Sequence, residues 1–373
     1  MKKILALILS VLLVAAVFTG CNNTSTSTAE PTEATEQKTD APTTEAPTTA
    51  ATEAPTEAPT EPTTEEPTEP EPVLPEKVRI GSLKGPTTMG LVNLMKDAEN
   101  GAAAMNYEFQ METQADAIAS LLVSGDLDIA LIPANLASVL YNRTKGALVV
   151  LDINTLGVLY CVTGDENVKS VADLAGREVV MTGQGTTPEY ALRYLLDKYG
   201  VTDCTLTFKS EATEVAAVLA ADPNQIAVLP QPFVTSAQAQ NEALKTAFSL
   251  SDAWDEVATD GSKLLTGVTV CRKAFLEEYP DAVEQFLSDH AASTAKAAED
   301  LDGTSELIAA YGIIPKAPLA KKALPYCNIV CVTGEEMKSA LSGYLQALFD
   351  ANPASVGGTL PGEDFYYIEG TKD

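Results

Sequence analysis

From residue 77 onward, apolar positions switch between a period of two and a period near 3.6, the marks of strands and helices. Val78–Ile80 reads as a strand and Gly81–Pro86 as a loop. Met89, Leu91, Val92, Leu94 and Met95 form the apolar row of a helix behind Thr87 and Thr88, which stand where N-caps stand. Ala115–Val123 has helical spacing at Ile118, Leu121 and Leu122 until Ser124-Gly125-Asp126 breaks it. The run Asp128–Ile132 predicts a strand ended by Pro133, with Asn135 as the cap of Leu136–Tyr141. Leu148–Leu151 and Gly157–Val162 are further strand-like runs, and Val171–Gly176 is a short helix. The strand–loop–helix pattern then returns. Glu178–Thr182 leads through the loop Gly183–Thr187 into a helix capped by Thr187, with Pro188 at its first position and Gly200 just past its end. Thr205–Phe208, Glu211–Ala221 and Ile226–Leu229 continue as strand, helix and strand, and Pro230-Gln231-Pro232-Phe233 is the next loop. Lys273–His290, Ala291–Asp300, Ser305–Tyr311 and Glu335–Asp350 predict helices, the last primed by Thr333.

This alternation with short links predicts an α/β fold, parallel sheets with helices on their faces, in a chain long enough for two domains. Ligands of such sheets sit outside the carboxyl ends of the strands. A strand that empties into a helix N-terminus also leaves backbone N–H groups free, a bias toward negative ligands. The loops Gly81–Pro86 and Gly183–Thr187 are therefore expected to be the two jaws of one cleft, with two ordinary βα loops as the plain alternative. Asn135, at another strand end, is a cap or a cap that also touches ligand. Gly267-Val268-x-x-Cys271 repeats Gly157-Val158-x-x-Cys161, and these are expected to be the strands by which the chain leaves the first domain and returns; chance likeness of two apolar strands is the alternative.

The first 76 residues read differently. Lys2 and Lys3 precede the apolar run Ile4–Phe18, and Thr19-Gly20-Cys21 puts small residues before a cysteine, a secretory signal over residues 1–20. The segment resembles the bacterial lipobox, with Phe18 in place of the usual aliphatic residue, which implies lipid on Cys21. A transmembrane anchor is the alternative, for which the run falls short of the roughly 20 residues needed. Asn22–Glu76 repeats Thr, Glu, Pro and Ala, as in T-E-A-P-T-E-A-P, and is expected to be a disordered, semi-stiff spacer.

Charge and chemistry then narrow the function. The formal net charge is −28, and Lys77–Asp373 stays acidic without the spacer, which argues against nucleic acid as a partner. There is one histidine, His290, taken as a solvated helix residue, and there is no H-E-x-x-H, Walker A loop or C-x-x-C pair. Gly183-Gln184-Gly185 is only half of a dinucleotide fingerprint. No catalytic residue, metal site or cofactor is expected. Five cysteines remain besides Cys21; Cys327 and Cys331 on one strand would lie ~13 Å apart, too far to bridge, and these thiols are expected to be mostly buried apolar residues.

Five segments arrive in a telling order: V-R-I-G at Val78–Gly81, S-G-D-L-D-I-A-L-I-P-A-N at Ser124–Asn135, S-V-A-D-L-A-G-R-E-V-V at Ser170–Val180, G-T-T-P-E-Y-A-L at Gly185–Leu192 and L-P-Q-P-F-V-T at Leu229–Thr235. With the leader and Cys21, they resemble the substrate-binding lipoproteins of ABC importers in the nitrate/sulfonate/taurine group, which includes thiamine-precursor binders, over Lys77–Tyr367. The resemblance implies a type II periplasmic-binding-protein fold: two lobes, each with a mainly parallel sheet flanked by helices, joined by a hinge of two crossing strands. Lobe 1 would comprise residues 77–160 and 265–373, and lobe 2 residues 161–264, behind a signal at 1–20 and a lipidated spacer at 21–76. The family's ligand loops match Lys84, Pro86, Thr87, Thr88 and Met89; Asn135; Gln184, Gly185, Thr186 and Thr187; and Gln231 and Phe233. Met89 and Phe233 suit an apolar or planar part of a solute, Lys84 and the helix N-termini an anionic part, while Glu189 opposes the latter. The implied protein is a monomer on the outer face of the bacterial cytoplasmic membrane, binding a small organic or weakly anionic solute and handing it to an ABC permease. Relatives that are enzymes of thiamine-pyrimidine synthesis depend on histidines that this chain lacks. A surface sensor or adhesion lipoprotein for a protein or glycan is the alternative.

Overall fold

The alternation of apolar runs and amphipathic segments is realised as eleven strands and thirteen α-helices among the described residues, 73–369, of a computed structural model. Glu69–Asp373 forms a compact unit; the leader, Cys21 and the spacer as far as residue 72 lie outside the described residues. The chain opens with β1 (Val78–Leu83), α1 (Pro86–Met89), α2 (Val92–Glu99), β2 (Tyr107–Glu112), α3 (Ala115–Ser124), β3 (Ile129–Pro133), α4 (Ala134–Thr144) and β4 (Leu148–Leu156). It continues through β5 (Leu159–Thr163), β6 (Glu178–Met181), α5 (Thr187–Lys198), β7 (Thr205–Phe208), α6 (Ala212–Ala221), β8 (Ile226–Pro230), α7 (Phe233–Gln240), β9 (Lys245–Ser249) and α8 (Leu250–Val257). It closes with β10 (Leu265–Arg272), α9 (Lys273–Glu278), α10 (Pro280–Glu299), α11 (Leu301–Ala310), α12 (Ala317–Ala323), β11 (Ile329–Val332) and α13 (Gly334–Ala351).

Two sheets result, each flanked by helices. The first has the order β11-β4-β10-β3-β1-β2 and the second β7-β6-β8-β5-β9. Parallel pairing joins β2-β1-β3 in one and β7-β6-β8 in the other, and the remaining strands add on antiparallel. The central parallel strands β3 and β8 are apolar because both their faces are covered. In β3, Ile129 and Leu131 enter a core with Phe275, Val283 and Phe286, while Ala130 and Ile132 enter the opposite core. In β5, Tyr160 and Val162 pack with α6 and α7 residues, while Leu159 and Cys161 join the core that reaches Trp254 and Tyr344.

Only Gly157 and Val158 separate β4, in the first sheet, from β5, in the second. The Gly157 N–H donates to Leu264 O at 2.7 Å, so the returning chain lies against the departing one. A Cβ on Gly157 would sit 2.4 Å from Ser251 Oγ and 2.7 Å from Leu264 Cγ, so a side chain there would force these neighbours apart. The two matching segments fall in different sheets, one on the way out of the first sheet and one on the way back into it. The strand β5 carries Cys161 in the second sheet, whereas β10 carries Cys271 in the first. Beside β3, β10 also pairs with β4, with Leu265 opposite Leu156, so it is the strand before Gly157, and not the one after it, that runs beside the returning chain.

Other boundaries move for identifiable reasons. The predicted helix Lys273–His290 is broken because Pro280 starts a new helix, α10. Cys327 directly follows the 3₁₀ turn Leu324–Tyr326, ahead of β11, and is not on one strand with Cys331. The five described cysteines are free thiols; Cys161, Cys271 and Cys327 are buried and Cys204 and Cys331 partly so. No described helix is long and apolar enough to cross a membrane.

Candidate functional site

Strand register decides which loops meet. In the first sheet Ser82 of β1 is level with Leu131 of β3, and Pro133 lies opposite Gly267 at the start of β10. In the second, Met181 of β6 is level with Val228 of β8, Pro230 faces Leu159, and the Gln231 N–H donates to Val158 O at 2.9 Å. The carboxyl ends of β1, β3, β6 and β8 therefore run out toward the same crossover, Gly157–Val158.

In the first loop, α1 begins at Pro86 with Gly85 as its N-cap. Thr87 and Thr88 thus lie inside the helical turn and do not cap it; their hydroxyls donate back to Leu83 O at 2.6 and 2.7 Å. Both are buried, and Met89 is fully buried against Val92, Ile308 and Leu324, a core position and not a cleft surface. Pro86 is half-buried and Lys84 is exposed, its N–H donating to Glu112 O. Thr87 is seated on the returning strand: a Cβ on Gly267 would lie 2.5 Å from Thr87 Cγ2 and 2.6 Å from Asn154 Oδ1.

Asn135 is the second residue of α4, behind Pro133 as N-cap, and its amide donates to Ser355 O at 3.2 Å, so it does not cap the helix. Gln231 is buried and its Oε1 accepts from the Thr235 hydroxyl at 2.9 Å, while Phe233 opens α7 with 37% exposure. In the second loop Gln184, Gly185 and Thr186 are exposed, and the N-cap is Thr186, one residue earlier than expected. The Gly185 N–H is not free: it donates to Glu189 Oε2 at 2.7 Å. Burial would raise the Glu189 carboxyl, but the Gly185 amide and the Arg193 guanidinium outweigh it and hold it below the usual range. Thr187 stands beside the buried Tyr344 phenol of α13. Among the described residues no hydrogen bond links the first loop to the second. Two cavities, of about 320 and 340 Å³, lie elsewhere and are lined by none of the expected ligand residues.

Three groups that the sequence reading did not single out surround this junction. The Tyr160 hydroxyl donates to Tyr326 O at 2.7 Å, and Tyr326 itself is 54% exposed. The Asn328 amide donates to Gly157 O, fastening β11's approach to the crossover. A buried polar row runs along β4: Thr155 Oγ1 donates to Asn154 Oδ1 at 2.8 Å, Asn154 Nδ2 to Thr269 Oγ1 at 3.2 Å, and Thr269 Oγ1 to Asp152 Oδ1 at 2.7 Å. At its end His290 is fully buried, with Nδ1 3.0 Å from Asp152 Oδ2. The solvated reading of His290 is wrong because it shares the inward stripe Val283, Phe286, Ser293 and Ala297 of α10, three and four residues apart.

Residues 99–306 match the family described as ABC transporter, phosphonate, periplasmic substrate-binding protein. No curated protein matches the chain. Among solved structures, an ABC transporter protein from Parabacteroides distasonis is similar, at 22% identity over 79% of this chain and 100% of its own, with a TM-score of 0.68. The periplasmic aliphatic sulphonate binding protein SsuA of Escherichia coli is similar at 16% identity over 80% and 96%, TM-score 0.63. The alkanesulfonate-binding protein SsuA of Xanthomonas axonopodis pv. citri, bound to MOPS, is similar at 15% identity over 78% and 96%, TM-score 0.54. At such identities the likeness establishes the fold: mixed α/β, two sheets flanked by helices, that of the periplasmic binding proteins.

Proposed function

The chain belongs to the family of phosphonate periplasmic substrate-binding proteins of ABC transporters, and from that premise we propose that it captures a small organic oxyanion between two lobes. The family is one of solute-binding proteins and not of enzymes. The carrying observation is the convergence of four strand ends on the Gly157–Val158 crossover, where a change of angle between the sheets opens or closes a crevice. The lobes are residues 77–160 with 265–373, and 161–264. Phosphonates and the sulphonates of the two SsuA proteins share a tetrahedral oxyanion head. Lys84, exposed at the end of β1, supplies the positive charge, and Phe233 and Tyr326 supply exposed aromatic surface for the organic part. Gln231, held by Thr235, and the exposed Gln184–Thr186 loop are the polar contacts.

The test is isothermal titration with short alkyl phosphonates and alkyl sulfonates. We expect one of these to bind, and Lys84→Glu to weaken it at least tenfold, the loss of one charge-assisted hydrogen bond being worth about 1.5–3 kcal/mol. Equal affinity in the variant would remove Lys84, and silence toward both classes would sink the oxyanion reading.

The same reading makes the protein an extracytoplasmic, monomeric partner of an ABC permease, held to the membrane by lipid on Cys21. In the native host, Cys21→Ala is expected to abolish lipid incorporation and shift the protein out of the membrane fraction. A membrane fraction unchanged by the substitution would dispose of the lipid.

A further inference from the structure

Asp152 on β4, His290 on α10 and Cys331 on β11 meet although they are 138 and 179 residues apart along the chain. His290 Nδ1 lies 3.0 Å from Asp152 Oδ2, Cys331 Sγ lies 3.9 Å from the same oxygen, and one donor atom of each is within 4.8 Å of the others. We infer that this trio is a binding site for a borderline-soft divalent cation of the zinc type, separate from the solute crevice. A nitrogen, an oxygen and a sulfur donor together suit zinc, and not magnesium or calcium, which take oxygen alone. Zinc bonds of about 2.0–2.3 Å in a tetrahedron set donors roughly 3.3–3.8 Å apart. Two of the separations, 3.0 and 3.9 Å, bracket that range and the third, from imidazole nitrogen to Sγ, is within 4.8 Å, so a movement of Cys331 of no more than about an ångström closes the three donors on the ion.

Charge and surroundings agree. A carboxylate and a thiolate balance a dication, giving a neutral centre where Asp152 and His290 have no solvent exposure. A bound cation takes Cys331 as the thiolate, since a coordinating thiol is deprotonated. The other Asp152 oxygen accepts from Thr269, which fixes the carboxylate as outer ligands do at metal centres. A metal on Nδ1 leaves the proton on Nε2, which has no protein partner and lies near the equally unpartnered Thr294 hydroxyl beside Gly90.

An entry route exists. Cys331 lines a cavity of about 340 Å³ whose wall also holds Glu284, Ser288, Tyr367 and Glu369. Its wall carries the carboxylates Glu284 and Glu369 and no Lys or Arg, so the cavity is electronegative and concentrates cations. A metal here would tie the edge strand β11 and helix α10 to β4 just before the crossover.

The protein, stripped with a chelator and dialysed, is titrated with cobalt(II) and then zinc. One equivalent of cobalt should give a thiolate-to-metal charge-transfer band that zinc abolishes, and zinc at a hundredfold excess over its Kd should raise Tm by roughly 5 °C. Cys331→Ser should lose the band and at least tenfold in zinc affinity, whereas Cys204→Ser should keep both. X-ray absorption of the zinc-loaded wild type needs no variant and should show one sulfur in the shell. A shell of nitrogen and oxygen only, or a charge-transfer band that survives Cys331→Ser, overturns the site.

Discussion

Replacing Asp128 with alanine is expected to destabilise the protein by about 3 kcal/mol, the lower part of the range for orphaning a buried ion pair. Asp128 precedes β3, and its Oδ1 accepts from Arg79 Nη2 of β1 at 2.6 Å and from Arg272 Nη2 of β10 at 2.7 Å. Its Oδ2 accepts from Arg79 Nε at 2.9 Å and from the Arg79 backbone N–H at 3.0 Å. The carboxylate is 3% exposed and the two guanidinium side chains 32% and 25%, so truncation leaves two half-buried cations that water relieves only partly. One group thus joins three neighbouring strands of the first sheet. Burial alone would raise the Asp128 carboxyl, but the hydrogen bonds from Arg79, then from Arg272, win and hold it below the usual range. A depressed folded-state value means stabilisation that is complete above the unfolded value, about 3.9, and is lost as pH falls through the folded one. Urea midpoints between pH 6 and pH 3 should therefore fall for the wild type in the acid limb and flatten for Asp128→Ala. Parallel acid limbs in the two proteins would show that the clamp contributes nothing.

The strands that could be read from the chain were those buried on both faces. I-A-L-I in β3 and I-A-V-L in β8 are continuous apolar runs, and no competing pattern fits them. The strands β2, β9 and β11, all at sheet edges, are not predicted by the pattern, although β7, also an edge strand, is. The β2 sequence Y-E-F-Q-M-E alternates cleanly, but its exposed residues are those of a helix surface as well. Ligand loops were legible as strand ends, a rule of topology. Their hydrogen bonds were not, because the partners are tertiary or local in ways that spacing does not specify. Thr87 and Thr88 have the right chemistry for caps, yet one residue of offset turns them into donors to Leu83 O. Gly185 has the right position for an anion, yet Glu189 one turn into α5 reaches its amide first. His290 is the instructive miss. Its neighbours Asp289, Ala291 and Ala292 are consecutive and uninformative, whereas its stripe partners three and four residues away are apolar or small. Asp152 follows the apolar Leu148–Leu151 and so looked like the end of a strand, but the strand runs on through Leu156 and carries Asp152 and Asn154 into the core.

Trp254→Ala is expected to be the most damaging single truncation in the second half of the chain, at about 3–5 kcal/mol. The indole is fully buried on α8, stacked on Tyr194 of α5 with centroids 4.1 Å apart and planes at 25°, and 6.1 Å from Tyr344 of α13. Its Nε1 donates to Ser262 Oγ at 3.1 Å, in the segment that returns the chain to β10. That segment lies against α13 at Gly343, where a Cβ would come within 2.6 Å of Ser262 Cβ. The ring thus packs helices that flank the second sheet against the helix α13, which covers β4 of the first. Trp254→Phe keeps an aromatic in the slot but drops the N–H, and should cost less than the alanine variant. The chain has one tryptophan, so wild-type fluorescence reports this junction and no other place. If the shared core makes one cooperative unit, fluorescence and far-ultraviolet dichroism should give coincident wild-type urea transitions. The alanine variant, followed by dichroism, should keep a single transition at a lower midpoint. Separated wild-type transitions, or a variant that unfolds in two steps with the first sheet unaffected, would mean that the sheets fold independently and that Trp254 stabilises only one of them.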